Sequence, residues 1–198
     1  GQDYSFGKAV AAAAEKYLAA KTSINIVGNE LHPIGKVKDF TPYARKILAS
    51  GADAVITGNW GADMVNLGRS LSESGFKGPI YCYYCASNGI TGTFGEAGKG
   101  MLHLVGEGLH NPSPSAELTA YHKAFKAKYP KWDLSQPRII NAAQMLAAAI
   151  NKAGTADDMV AVASALEGME FDSKLLGTKV LMRAKDHQAI QNVHVGIH

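Results

Sequence analysis

Short apolar runs and longer segments with apolar residues every three or four positions alternate along the first hundred residues, the two periods that separate buried strands from amphipathic helices. The alanine-rich "FGKAVAAAAEKYLAAK" (6–21) is long enough for a helix of about four turns. "SINIVGNEL" (23–31) has the β-branched character of a strand. In "DFTPYARKILASG" (39–51), Thr41 is the expected N-cap, Pro42 the first helical residue and Gly51 the stop, with Tyr43 and Ile47 on one face. "DAVIT" (53–57) reads as a strand buried on both faces. Met64, Leu67 and Leu71 then recur at helical spacing up to Gly75. "PIYCYY" (79–84) and "MLHLVGEGL" (101–109) read as further strands across a glycine-rich stretch. This alternation predicts an α/β fold with a doubly wound parallel sheet.

The second half breaks the rhythm. Ser113 and Pro114 start a helix to about residue 128, 136–154 gives another, and Thr155 with Asp158 caps a third that runs to Leu166, with no strand between them. The middle helix is apolar on much of its circumference (Ile139, Ile140, Met145, Leu146, Ile150) and calls for a partner surface beyond these residues. Strands return at 177–183 and 189–198, with "AKDHQ" as the turn. A chain that opens on a helix with no strand before it reads as a fragment lacking an upstream portion.

Composition narrows the function. The 198 residues are 46% hydrophobic, enough for one large domain or two small ones. Twenty basic against seventeen acidic residues leave a net charge of +3 with no basic block, which argues against nucleic acid or an anionic membrane as partner. No apolar run approaches the roughly 20 residues of a bilayer span, and "GQDYSFGKAV" lacks the pattern of an export signal.

Candidate chemistry is sparse. Cys82 and Cys85 have the C-x-x-C spacing of redox sites and of half a zinc site, but no second pair and no spaced histidines complete a metal set. Read as extended backbone, residues three apart stand about 10 Å from each other, too far for a disulfide, so the two are expected to be small packed thiols. "GTFGEAGKGM" (92–101) fails the phosphate-loop spacing: Thr93 stands where its first glycine belongs and Gly100 where its Ser or Thr belongs. There is no G-x-S-x-G and no H-E-x-x-H, and Asp186-His187 reads as a hydrogen-bonded turn. No residue set demands catalysis, a cofactor or a metal.

The aromatics fall in a more telling place. "DYSF" (3–6), "GNW" (58–60) and "YYC" (83–85) lie at predicted junctions where a strand ends or a helix begins. In a parallel sheet ligands gather at such junctions, where helix N–H groups favour an anion and rings supply an apolar wall.

"DYSFG", "DFTPYARKILASGADAVITGNWGADM", "GFKGPIYCYY", "GEAGKG", "ALEGMEFDS" and "MRAKDHQAIQ" succeed one another over nearly the whole chain. This ordered set resembles the periplasmic substrate-binding proteins of branched-chain amino-acid ABC importers, leucine/isoleucine/valine-binding-like, with the type I periplasmic binding protein fold. The resemblance implies two α/β lobes that close on a small ligand. Residues 1–108 would form the second lobe, 109–176 a helical segment of an incomplete first lobe, and 177–198 the hinge return and closing strands. It implies that Phe6 packs on the ligand, that Trp60 with Asn59 forms a second contact, and that Tyr84 stands where amino-acid binders place the acidic residue that holds the ligand's ammonium. With a neutral hydroxyl there, and a buried ammonium costly without a counter-charge, the expected ligands extend from amino acids to aromatic acids, short carboxylates and amides. A non-enzymatic periplasmic receptor partnered by an ABC transporter permease is thus the leading expectation. A ligand-sensing receptor or regulator of the same fold is the alternative, and a thiol oxidoreductase a more distant one.

Overall fold

The computed structural model describes residues 1–21, 23–85, 89–106, 113, 115–132 and 137–198. The chain divides into two compact units, Gly1–Gly106 with Val195–His198, and Glu107–His194.

In the first unit, helix α1 (Ser5–Leu18) is followed by α2 (Thr41–Ala49), strand β1 (Val55–Thr57), α3 (Gly61–Glu73), β2 (Ile80–Cys82), α4 (Ile90–Phe94), a 3-10 turn (Gly95–Gly98) and β3 (Leu102–Gly106). The sheet order is β1-β2-β3-β7, where β7 is His194–Ile197. The first three strands run parallel, as the alternating pattern predicts. Their register puts Val55, Ile80 and Leu102 in one row and Thr57, Cys82 and Leu104 in another. These rows point into a core with Ala44 of α2, Met64, Leu67 and Leu71 of α3, and Ile90 and Phe94 of α4. The periodic positions read from the sequence of α3 are therefore the ones it buries.

Three local expectations are corrected. Residues 23–31 form no strand; their β-branched side chains are largely exposed, and beside them the structure shows a parallel bridge between Gln2 and His32. Thr41 is the first residue of α2, not its cap: Phe40 takes the cap position, and Asp39 Oδ1 accepts the Thr41 N–H at 2.8 Å. The Thr41 side-chain hydroxyl, and after it that backbone N–H, hold the Asp39 carboxyl below its ordinary range. The strand expected over 79–84 stops at Cys82, and 83–85 form a turn. The strand expected over 101–109 is described as far as Gly106, and its last three positions lie outside the described residues, as do Pro114 and Gln136.

The second unit holds α5 (Ala116–Lys128), α6 (Pro137–Ala153) and α7 (Met159–Leu166), then β4 (Glu170–Ser173), β5 (Thr178–Arg183) and β6 (Gln188–Ile190). Ser115 Oγ caps α5 by accepting the Leu118 N–H at 2.9 Å, and Asp158 caps α7 by accepting from Val160 and Ala161. Strands β4, β5 and β6 form a separate antiparallel sheet in that order. Val180 and Leu176 pack with Met145 of α6, while Ala149 packs with Val162 and Ala165 of α7. Other apolar side chains of α6, Ile139 and Leu146, stay exposed. Residues 178–181 of β5 pair with β4, a strand the sequence did not signal, and β6 pairs with the other end of β5; Val195–His198 group with the first unit. In the β5–β6 turn Asp186 accepts twice from the Arg183 guanidinium, at 2.8 and 2.6 Å, as a structural turn should.

Candidate functional site

Three chain junctions of the first unit carry the expected aromatics. At the N-terminus Gln2 bridges to His32 and the Asp3 N–H donates to the His32 carbonyl at 2.7 Å, which directs Tyr4 onto the start of α1. After β1 the segment Gly58-Asn59-Trp60 leads into α3. After β2 the turn carries Tyr83, Tyr84 and Cys85.

Tyr4 and Trp60 occupy equivalent places, each an extended N-cap residue, of α1 and α3 respectively, and neither helix start is closed by a side-chain hydrogen bond. The first-turn N–H groups of both helices therefore lack a capping side chain. The two residues meet: Trp60 Nε1 donates to the Tyr4 hydroxyl at 2.9 Å. Tyr4 lies 6.1 Å from Phe6 between ring centroids, Phe6 meets Tyr84 edge-on at 5.5 Å, and Tyr84 meets Tyr83 at 5.1 Å. Trp60 remains 43% exposed. The structure thus brings Phe6, Trp60 and Tyr84 onto one rim at the carboxyl ends of β1 and β2, with Tyr4 linking the first two. The approach is close at Gly58, where an added Cβ would stand 3.0 Å from Val10 and 3.1 Å from Phe6.

Asn59 lies beneath the rim, fully buried. Its side-chain amide donates to His32 Nε2 at 2.9 Å, which fits the tautomer whose Nδ1–H faces the Pro33 carbonyl at 3.3 Å. Its backbone N–H donates to Thr57 Oγ1 at 3.1 Å and its carbonyl accepts from the Cys82 thiol at 3.2 Å. His32 in turn packs edge-on against Phe40 and Tyr43. Asn59 therefore fixes the bend that presents Trp60. Two nearby carboxylates are engaged as well. Asp63 in the first turn of α3 accepts from Gln2 Nε2 and the Gly35 N–H, both at 2.8 Å, and Asp3 pairs with Lys8 at 3.1 Å.

The turn after Cys82 replaces the extended backbone expected through Cys85. Cys82 and Cys85 are both free and both buried. Hydrogen bonding from Cys85, helped by the backbone N–H groups of Tyr84 and Cys85, draws the Cys82 thiol down against the opposing effect of burial. Cys85 is pushed up by its bond to Cys82, by burial and by the charge on Cys82. Among the described residues no group of three or more His, Cys, Asp or Glu could hold a metal ion, and no helix is long and apolar enough to cross a membrane.

A family model described as "Periplasmic binding protein" matches residues 1–196. The chain belongs to that family. The Leu/Ile/Val-binding protein homolog 4 of Brucella melitensis is 27% identical over 178 residues, 86% of this chain and 41% of that protein. The chain thus spans well under half the length of the curated relatives it matches. Among solved structures, the leucine-, isoleucine-, valine-, threonine- and alanine-binding protein of Brucella ovis in its closed conformation superposes with a TM-score of 0.80 at 23% identity, over 98% of this chain and 50% of that one. An ABC transporter solute-binding protein of Rhodopseudomonas palustris in complex with p-hydroxybenzoic acid gives 0.83 at 20% identity, over 99% and 54%. At these identities the superpositions establish the fold, that of the type I periplasmic binding proteins.

Sequence reasoning singled out Phe6, Asn59, Trp60 and Tyr84 and missed Tyr4, His32, Gln2 and Asp63. The signal for Tyr4 was available: like Trp60, it immediately precedes a helix. None existed for His32, whose partner Asn59 lies 27 positions away.

Proposed function

We propose that this chain carries the ligand-binding rim of a periplasmic solute-binding protein that serves an ABC importer, and that its ligand is a small carboxylate, an aromatic acid in preference to an amino acid. The observation that carries this reading is the convergence of Tyr4, Phe6, Trp60 and Tyr84 on one rim beside two helix starts without side-chain caps. Rings present a large rigid apolar wall, and free N–H groups at a helix start favour a carboxylate. The preference against amino acids comes from charge. Asp63 and Asp3, the carboxylates beside the rim, are already occupied by Gln2, Gly35 and Lys8, and Tyr84 offers only a neutral hydroxyl. An ammonium enclosed there would lack a counter-charge. The relatives span both classes: one is described as a leucine-, isoleucine-, valine-, threonine- and alanine-binding protein, another is solved with p-hydroxybenzoic acid. The ligand contacts are assigned to Phe6, Trp60 and Tyr84, with Asn59 holding Trp60 in place. No step of this function requires catalysis or a cofactor, and the transporter permease is the partner that receives the ligand.

A melting-shift panel of benzoate, 4-hydroxybenzoate, leucine, valine and acetamide tests the proposal. A ligand at a hundredfold its Kd stabilises the folded state by about 2.7 kcal/mol. The benzoates are expected to raise the melting temperature more than leucine or valine. A larger response to the amino acids would overturn the ligand class, and no response to any of them would overturn the binding role.

A further inference from the structure

We infer that Asp63 is a positioning residue of the rim: through its bond to Gln2 it holds the starts of α1 and α3 in the arrangement that brings Tyr4 and Trp60 together. The inference rests on the binding role proposed above, since it names what sets the same rim.

The two helix starts are joined twice. The outer link is the exposed bond from Trp60 to Tyr4. The inner link is buried: Gln2 Nε2 donates to Asp63 Oδ2 at 2.8 Å, with Gln2 1% and Asp63 4% exposed. The same Oδ2 accepts the Gly35 N–H at 2.8 Å, so one carboxylate oxygen draws together the N-terminal segment, the turn at 34–36 and the first turn of α3. Gln2 stands two residues before Tyr4, and Asp63 three after Trp60. A single bond between two helix starts leaves them free to rotate about it. A second bond, set apart from the first along each chain, fixes the rotation as well as the spacing.

The backbone of Gln2 passes that constraint on. Its carbonyl accepts the Tyr4 N–H at 3.0 Å, and α1 packs on it so closely that a Cβ added at Gly7 would stand 1.8 Å from that oxygen. On either side, the Gly1 carbonyl accepts the His32 N–H and the Asp3 N–H donates to the His32 carbonyl. The Gln2 amide oxygen has no hydrogen-bond partner among the described residues. Without Asp63 both ends of a buried amide would therefore be unsatisfied, a cost that drives the side chain toward water and shifts Tyr4 with it. Asp63 also occupies the third helical position of α3, from which a Glu or Gln side chain commonly reaches back to the N-cap N–H. Turned instead to Gln2 and Gly35, its carboxylate goes with an α3 start that no side chain caps, the feature that favours a ligand carboxylate.

The test uses the full chain in a Trp132→Phe background, which leaves Trp60 as the remaining tryptophan. Trp60 emission and anisotropy are read in the folded, unliganded variants, and benzoate affinity by calorimetric titration. Asp63→Ala and Gln2→Ala should each shift the emission, lower the anisotropy and weaken benzoate binding by about fivefold or more. The double variant should be no worse than Asp63→Ala, because both substitutions remove the same bond. Asp63→Asn, which can keep an oxygen at the shared position, should lie nearer wild type than Asp63→Ala in both readouts. Ile80→Val trims the buried core at the opposite end of β2 from the rim, so it lowers stability and should leave both readouts unchanged. An unaltered Trp60 signal in Asp63→Ala and Gln2→Ala, an equal change in Ile80→Val, additive losses in the double variant, or an Asn variant as impaired as the Ala one would each overturn the proposal. Should Asp63→Ala fail to fold, Gln2→Ala compared with Ile80→Val decides it. The optical readout needs no ligand: a changed Trp60 signal in a chain that benzoate does not bind leaves the Asp63–Gln2 strut standing and removes only the binding role.

Discussion

The indole N–H of Trp60 donates to the hydroxyl of Tyr4 at 2.9 Å, across 56 positions of sequence, and joins the residues that start α3 and α1. Two helix starts are thereby held side by side by a bond at the rim itself. The bond orients Trp60 and leaves part of its ring open to solvent.

Tyr4→Phe keeps the ring against Phe6 and deletes the acceptor. The bond is partly exposed, so the loss of stability should stay within about 1 kcal/mol, while Trp60 becomes free to turn. Urea unfolding checks the first statement and Trp60 fluorescence anisotropy, in the Trp132→Phe background, the second. Unchanged anisotropy would show that packing alone fixes the indole.

Asn59→Ala should be far more costly. It strips the buried His32 ring of its partner, and a buried polar group left unsatisfied costs about 1–3 kcal/mol. Urea unfolding should therefore rank Asn59→Ala well below Tyr4→Phe in stability. Equal stabilities would mean that His32 finds another partner.

Gly58→Ala probes how tightly the rim is packed. The added Cβ would press on Val10 and Phe6 at 3.0 and 3.1 Å, and those side chains must give way by a few tenths of an ångström. A weaker response to the stabilising ligand is expected, with a smaller change in unfolding midpoint than Asn59→Ala produces. Full ligand response in this variant would place the ligand away from Phe6.

How legible was this in the sequence? The core face of α3 followed from Met64, Leu67 and Leu71 alone, because one helix period decides which side is buried. The rim was legible in part, because Phe6, Trp60 and Tyr84 each sit beside a recognisable strand end or helix start. Residues 23–31 were misread because β-branched composition describes fitness for a sheet surface and does not supply a neighbouring strand. Here only His32 finds one, through its bridge to Gln2. The turn at 83–85 was missed because a run of strand-favouring tyrosines hides it, and its tertiary contacts, Tyr84 on Phe6 and Cys82 on Asn59, lie far off in sequence. Strand β4 was missed because its pairing with β5, from Glu170↔Leu181 to Ser173↔Thr178, exists only once the hairpin folds.

The β5–β6 turn supplies a pH test. The Arg183 guanidinium, by its hydrogen bonds to Asp186, holds that carboxyl below its ordinary value. A depressed carboxylate contributes stability that is fully present above its unfolded pKa and is lost as pH falls through the folded one. Wild type should therefore exceed Asp186→Asn in melting temperature near neutrality, by a small margin because the pair is exposed. The margin should shrink between about pH 5 and pH 2. A margin independent of pH would show that the carboxylate charge contributes nothing to the turn.

The most direct measurement is calorimetric titration of the best stabilising compound into wild type, Trp60→Ala and Tyr84→Ala. Binding on one aromatic rim predicts that each variant weakens affinity at least tenfold, the equivalent of about 1.4 kcal/mol, while Tyr17→Ala, an exposed ring near the far end of α1, leaves it unchanged. Wild-type affinity in both rim variants would contradict the account.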